Sequence, residues 1–181
     1  MDMRHDVAEI LYTESQLSEI VTRMGRQISE DYRDKNLFMI SVLKGSLIFM
    51  ADLMRAVTVP CSIDFLSVSS YGGGTTTTGA VRILKDLDDP LEGKDLLIVE
   101  DILDSGVTLS FLMKHLSARN PRSIRLCTLL DKPERRRVDV HADYVGARVP
   151  DKFIVGYGLD YAEKYRNLPY IGVLKTEIYS K

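Results

Sequence analysis

The run VEDILDSGVTL places three acids, Glu100, Asp101 and Asp104, beside Ser105, Gly106, Val107 and Thr108. Clustered carboxylates can hold a divalent cation or the hydroxyls of a sugar. A helix start with free N–H groups, a hydroxyl and a glycine can hold a phosphate. The plain alternative is a tight strand-to-helix turn with solvated acids and a Thr cap. The flanking elements decide where these groups stand. Residues 96–99 are an apolar run after Gly93, which predicts a buried strand. Thr108 opens an amphipathic run with Leu109, Leu112, Met113 and Leu116 on one helical face. The acids therefore sit at the carboxyl end of a strand, where ligands of open α/β sheets bind.

Two further strand ends carry cations. Residues 37–43 form a second apolar run and end in Lys44-Gly45-Ser46. A helix with Leu47, Ile48, Met50, Leu53 and Met54 follows. This loop could present backbone amides to an anion, or it is a simple turn. Residues 123–130 predict another strand, ending in Asp131-Lys132-Pro133. Lysines are usually solvated, but Lys132 leaves its strand on the same sheet edge as the other two loops. Arg135, Arg136 and Arg137 predict a solvated face; contact with another subunit or with an anion is the sharper alternative.

The remaining pattern is that of an ordinary globular domain. Thr13 and Gln16 form a capping box, and a helix carrying Leu17, Ile20, Val21, Met24 and Ile28 runs to about Tyr32. Strands at 61–69 and 81–84 pair as an antiparallel hairpin. Between them lies Ser70-Tyr71 and a glycine- and threonine-rich stretch, 72–79, too costly in backbone entropy to pack. It is a surface hairpin loop or a lid that excludes water from the site. Asp86, Asp88, Asp89 and Glu92 predict a solvated turn rather than a cation site. Short strands at 144–146, 153–156 and 170–174 complete the chain, and residues 1–11 give only a weak pattern. At 181 residues, with 45% hydrophobic residues and a net charge of −2, the chain predicts one domain with no bulk attraction to nucleic acid or anionic membrane. Cys61 and Cys127 have no C-x-x-C spacing and predict core thiols. No apolar leader or membrane-spanning run is present, so the expected location is cytoplasmic.

The motif VEDILDSGVTL resembles the signature of the type I phosphoribosyltransferases, in the form of their 6-oxopurine branch. Three more segments agree in order. Leu43-Lys44-Gly45-Ser46 is similar to the family's pyrophosphate loop, whose leucine–lysine peptide is often cis. Asp131-Lys132 matches a purine-contacting lysine, and residues 150–161 resemble the base-binding segment of the hypoxanthine enzymes. The lid is more similar to bacterial members than to animal ones. The resemblance implies an α/β fold with a central, mostly parallel sheet flanked by helices and a small hood built largely from C-terminal strands. It implies one phosphoribosyltransferase domain over 1–181, with a core at about 37–150 and a hood at about 151–181 joined by N-terminal segments. Glu100 and Asp101 would hold the ribose diol. Residues 104–108 would grip the 5′-phosphate. Lys44, Gly45 and Arg166 would meet pyrophosphate. Lys132, Phe153, Ile154 and Asp160 would serve the purine, and Asp104 would be the general base. Magnesium would be the cofactor, with Glu100, Asp101 and Asp160 toward it, and Ser70 and Tyr71 would begin the lid. The implied reaction moves phosphoribose from phosphoribosyl pyrophosphate to hypoxanthine and guanine. Its partners are those small molecules, without nucleic acid or membrane, in a homodimer or homotetramer. The alternatives are a xanthine- or guanine-preferring enzyme and a non-catalytic nucleic-acid-binding regulator on the same fold.

Overall fold

The structure, a computed structural model, describes residues 2–70 and 81–180. The chain runs β1 (Val7–Tyr12), α1 (Glu14–Asp31), β2 (Leu37–Leu43), α2 (Leu47–Ala56), β3 (Cys61–Ser70), β4 (Val81–Lys85), β5 (Asp95–Leu103), α3 (Val107–Ser117), β6 (Ser123–Asp131), β7 (Tyr144–Arg148), β8 (Ile154–Val155), β9 (Ile171–Leu174) and α4 (Thr176–Tyr179). The central sheet has the order β4-β3-β2-β5-β6-β7. All neighbours are parallel except β3 and β4, which form the expected antiparallel hairpin. The call on Ser70-Tyr71 and the 72–79 lid falls on the Ser70 side chain and residues 71–80, outside the described part.

Parallel strands covered on both faces read as continuous apolar runs, and β2 and β5 do so. Alternate residues serve opposite faces. Met39, Leu97 and Val99 pack with Leu17, Val21, Met24 and Ile28 of α1 and with Phe49, Met50 and Leu53 of α2. Phe38, Ile40, Leu96 and Ile98 pack with Leu109, Leu112 and Leu116 of α3. Fully burying each such side chain contributes ~1.5–3 kcal/mol. α1 begins with the Thr13–Gln16 capping box, both hydrogen bonds present. It passes so close to α2 that a β-carbon on Gly25 would collide with Ala56.

The structure adds detail to three parts of the sequence pattern. Leu47 opens α2 but is exposed, and Phe49 takes the core position. Residue 47 lies about 200° round the helix from residue 49, on the solvent side. The acids near Pro90 are exposed, as a solvated turn requires, and pair across the surface: Asp86 with Arg119 and His115, Asp88 with Lys85, and Asp89 with Lys94. Residues 7–12 form a strand, which was missed because an edge strand with one exposed side has little apolar pattern. Both cysteines are free, Cys127 buried and Cys61 half-buried.

β1, β9 and β8 form a separate antiparallel sheet, the hood, in the order β1-β9-β8. Its inner residues Ile154, Tyr157, Leu159 and Ile171 join the core made with α1 and α2. The hood is thereby held over the carboxyl ends of β2, β5 and β6. Among the described residues, no helix is long and apolar enough to cross a membrane.

Candidate active site

The carboxyl ends of β2 and β5 bring the first two loops together. Ser46 is buried, shares a 2.8 Å hydrogen bond with Ser41 and donates to the Val42 carbonyl. These bonds hold the 43–46 loop from below, and the Leu43–Lys44 peptide is cis. Above it stands the acidic pair. Burial, then the neighbouring Asp101, push the Glu100 carboxyl well above its ordinary value, and its Oε2 is enclosed without a hydrogen-bond partner. Burial likewise raises Asp101 to about 6, although its Oδ1 accepts a 2.7 Å bond from the Ile102 N–H. Desolvation holds both carboxyls up, and Arg166 offsets it only in part at Asp101. A cation or a pair of hydroxyls would supply what they lack.

The third loop turns at Gly106, whose φ of +81° is favourable only for glycine. Gly106 is the N-cap of α3 and offers no side-chain cap; Ser105 Oγ accepts from the Val107 N–H at 3.4 Å, and the amides that follow are left open. Asp104 does not cap this helix. With Gly45, Glu100, Asp101, Ser105, Gly106 and Thr108 it lines a cavity of about 210 Å³. Asp104 also faces a second cavity of about 580 Å³, shared with Ile102, Lys132, Arg135, Phe153 and Ile154. It stands where the acidic cavity and the aromatic-lined cavity meet. Its Oδ1 is buried without a hydrogen bond, and the nearest cation is Arg135 Nε at 3.4 Å.

Lys132 is only 4% exposed. Its backbone N–H donates to Leu103 O at 3.0 Å, which ties β6 to the acidic loop. Its Nζ donates to Lys152 O at 2.8 Å and lies 3.7 Å from Asp151. An ammonium has three donors and no acceptor, so this group can still donate into the cavity. Phe153, 37% exposed, lines the same space, with buried Ile154 beside it on β8.

The hood contributes the loop between β8 and β9. A β-carbon on Gly158, at φ +104°, would meet the Gly45 carbonyl, so this loop rests directly on the 43–46 loop. Arg166 donates to Gly158 O at 2.8 Å and pairs with Asp160 at 2.8 Å and Glu163 at 3.3 Å. Glu163 also pairs with Lys44 at 3.0 Å. The cations Lys44 and Arg166 are thus brought together by an acid that the sequence reading did not single out. Asp160 faces Arg166 and does not line the Lys132–Phe153 cavity. No cluster of three metal-ligating side chains exists among the described residues. Magnesium is normally held by one or two carboxylates together with substrate phosphates and water, and the desolvated Glu100–Asp101 pair, with Glu100 Oε2 lacking a partner, fits that mode.

Of the three arginines, Arg135 and Arg137 stay exposed, as a solvated face requires, and Arg136 is drawn into the acidic loop. Arg136 donates to the carbonyls of Leu103 and Asp104 and pairs with Asp131. Arg137 donates its N–H to Ser105 O at 2.9 Å. Arg135 bridges Asp104 and Asp151. The signal lay in a cationic run following a strand next to an acidic loop.

A phosphoribosyl transferase domain model matches residues 7–162. A hypoxanthine-guanine phosphoribosyltransferase of Staphylococcus epidermidis is 52% identical over 179 residues, covering 99% of this chain and all of that protein. Among solved structures, a hypoxanthine phosphoribosyltransferase from Staphylococcus aureus superposes with a TM-score of 0.96 at 51% identity, covering 99% of this chain and 97% of that one. A hypoxanthine-guanine phosphoribosyltransferase from Bacillus anthracis gives 0.87 at 48% identity, covering 93% and 98%. The chain belongs to the phosphoribosyltransferase family. Within it, the chain is a transferase enzyme with the type I fold of these hypoxanthine-type structures.

Proposed function

We propose that the chain transfers phosphoribose from 5-phosphoribosyl 1-pyrophosphate to hypoxanthine and guanine, a purine-salvage reaction that releases pyrophosphate. The observation that carries this reading is Lys132, a buried lysine whose Nζ reaches a cavity shared with Asp104 and Phe153. A protonated amine there can only donate. It donates to the oxygen of a 6-oxopurine and is left unmatched by the amino group of adenine, at a cost of about 1–3 kcal/mol or more.

In this reading the bond between the anomeric carbon and pyrophosphate breaks as the bond to the purine's imidazole nitrogen forms. Glu100 and Asp101 orient the ribose diol. The open amides of α3, with Ser105 and Thr108, hold the 5′-phosphate. Lys44 and Arg166 exchange Glu163 and Asp160 for pyrophosphate oxygens and take up the charge that develops on the leaving group. Asp104, between the two cavities, receives the proton leaving the purine. Phe153 offers its face to the base, and the Ile154 backbone its edge. Magnesium, held toward Glu100, Asp101 and Asp160, would supply further charge neutralisation when bound. Assembly as a homodimer or homotetramer and a cytoplasmic location rest on family membership; light scattering on the purified protein checks the first. Nucleotide formation from each base, followed by ultraviolet absorbance, tests the reaction: hypoxanthine and guanine are converted and adenine is not.

A further inference from the structure

Phe153 has little packing of its own. It precedes β8, is 37% exposed, and projects into the cavity that holds Lys132 and Asp104. A half-exposed ring is a poor platform unless something fixes its plane. Tyr179, in the last turn of the described chain, does so. The two rings are stacked, with centroids 4.8 Å apart and planes 24° from parallel. Tyr161 closes the group edge-on, 5.5 Å from Phe153 and 6.4 Å from Tyr179.

The turn that carries Tyr179 is itself anchored. Lys175 donates its N–H to Asp6 O at 2.9 Å, ahead of β1, and Ile178 donates to Lys175 O at 3.0 Å. Ile178 packs against the hood cluster of Val155, Tyr165, Leu168 and Leu174. Lys175, Thr176 and Tyr179 line the same cavity as Lys132. A centroid separation of 4.8 Å leaves no room for a purine between the two rings, since a third ring needs about 3.5 Å on each side. A base that stacks on Phe153 therefore uses the other face.

We infer that Tyr179 is a positioning residue for the purine: it backs Phe153 and fixes the plane on which the base stacks, so the C-terminal turn is part of the base site. The inference rests on the proposed purine reaction. An aromatic pair of this kind is worth roughly a three- to tenfold change in affinity.

Steady-state kinetics on the full chain tests it, with hypoxanthine and phosphoribosyl pyrophosphate varied separately. Tyr179→Ala is expected to raise the hypoxanthine KM roughly three- to tenfold, with the phosphoribosyl pyrophosphate KM and kcat little changed. Tyr179→Phe restores the parent value. Tyr179→Leu keeps apolar bulk for hood packing but lacks the ring; it melts like the parent and shows the raised hypoxanthine KM. A Tyr179→Ala enzyme with an unchanged hypoxanthine KM overturns the inference, as does an equal rise in both KM values. A Tyr179→Leu enzyme that behaves like the parent also overturns it, because packing alone then suffices. A parent protein that converts neither hypoxanthine nor guanine overturns the proposed function and this inference with it, an outcome distinct from a working parent with an indifferent Tyr179.

Discussion

Gly45 and Asp101 adjoin at the ends of neighbouring parallel strands: a β-carbon on Gly45 would overlap the Asp101 carboxylate. Residue 45 is glycine because the acid occupies the place of its side chain. The same glycine's carbonyl is packed against Gly158 of the hood loop. Three parts of the site, the 43–46 loop, the acidic pair and the hood, therefore close on one another with no space for a methyl group.

Gly45→Ala should displace either the loop or the acid. Overpacking of this kind costs about 1–3 kcal/mol. The expected result is a lower melting temperature and a phosphoribosyl pyrophosphate KM raised by about tenfold or more, with a smaller effect on the purine KM. An alanine enzyme with parental kinetics would show that the two groups move apart freely.

Asp101 also makes the ligand-free protein pH-sensitive. Burial first, offset in part by its hydrogen bond from Ile102, holds its carboxyl at about 6, against about 3.9 in an unfolded chain. The folded value is the higher one, so the folded state binds the proton more tightly. Stability from this group is present below about pH 4 and is lost as pH rises toward 6. The loss above that window is on the order of 2–3 kcal/mol. Asp101→Asn should therefore be the more stable protein in urea at pH 7.5 and lose that advantage near pH 4, while its activity falls. Equal stability of the two at pH 7.5 would contradict the desolvated acid.

Asp104 parts two readings of one residue. A helix cap is replaced well by asparagine, but the cap position belongs to Gly106. As general base, Asp104→Asn should lower the single-turnover rate by about 100- to 10,000-fold, with phosphoribosyl pyrophosphate still bound and the fold intact. A rate within about threefold of the parent would remove Asp104 from the chemistry.

Magnesium dependence follows from the desolvated pair Glu100 and Asp101, with Glu100 Oε2 unpartnered. Activity should vanish in excess chelator and return on adding magnesium. Asp160→Asn breaks the 2.8 Å pair with Arg166 and should weaken binding on the pyrophosphate side more than purine binding. Undiminished turnover in chelator would rule out the metal requirement.

The strands and loops that carry the site were legible because β2, β5 and β6 are buried on both faces and therefore read as unbroken apolar runs. Glu100, Asp101, Asp104 and Lys132 then fall at strand ends on one sheet edge. What stayed hidden depends on contacts distant in sequence. The bonds from Arg136 to the carbonyls of Leu103 and Asp104 look in the sequence like one more surface cation. Tyr157, Ala162, Glu163 and Tyr165 adopt positive φ, and none of these residue types advertises that conformation. Their turns bring Glu163 to Lys44 and Arg166, so the ion network could not be read from spacing. Tyr179 lies beyond the last expected strand, and nothing in its spacing announces that it stacks on Phe153.

The central claim is that Lys132 selects a 6-oxopurine. Its most direct test offers the enzyme equimolar hypoxanthine and adenine with limiting phosphoribosyl pyrophosphate and magnesium, and separates the nucleotides formed. An unmatched buried donor of a few kcal/mol predicts that the inosine nucleotide exceeds the adenosine nucleotide by about a hundredfold or more. Comparable amounts of the two would contradict the account.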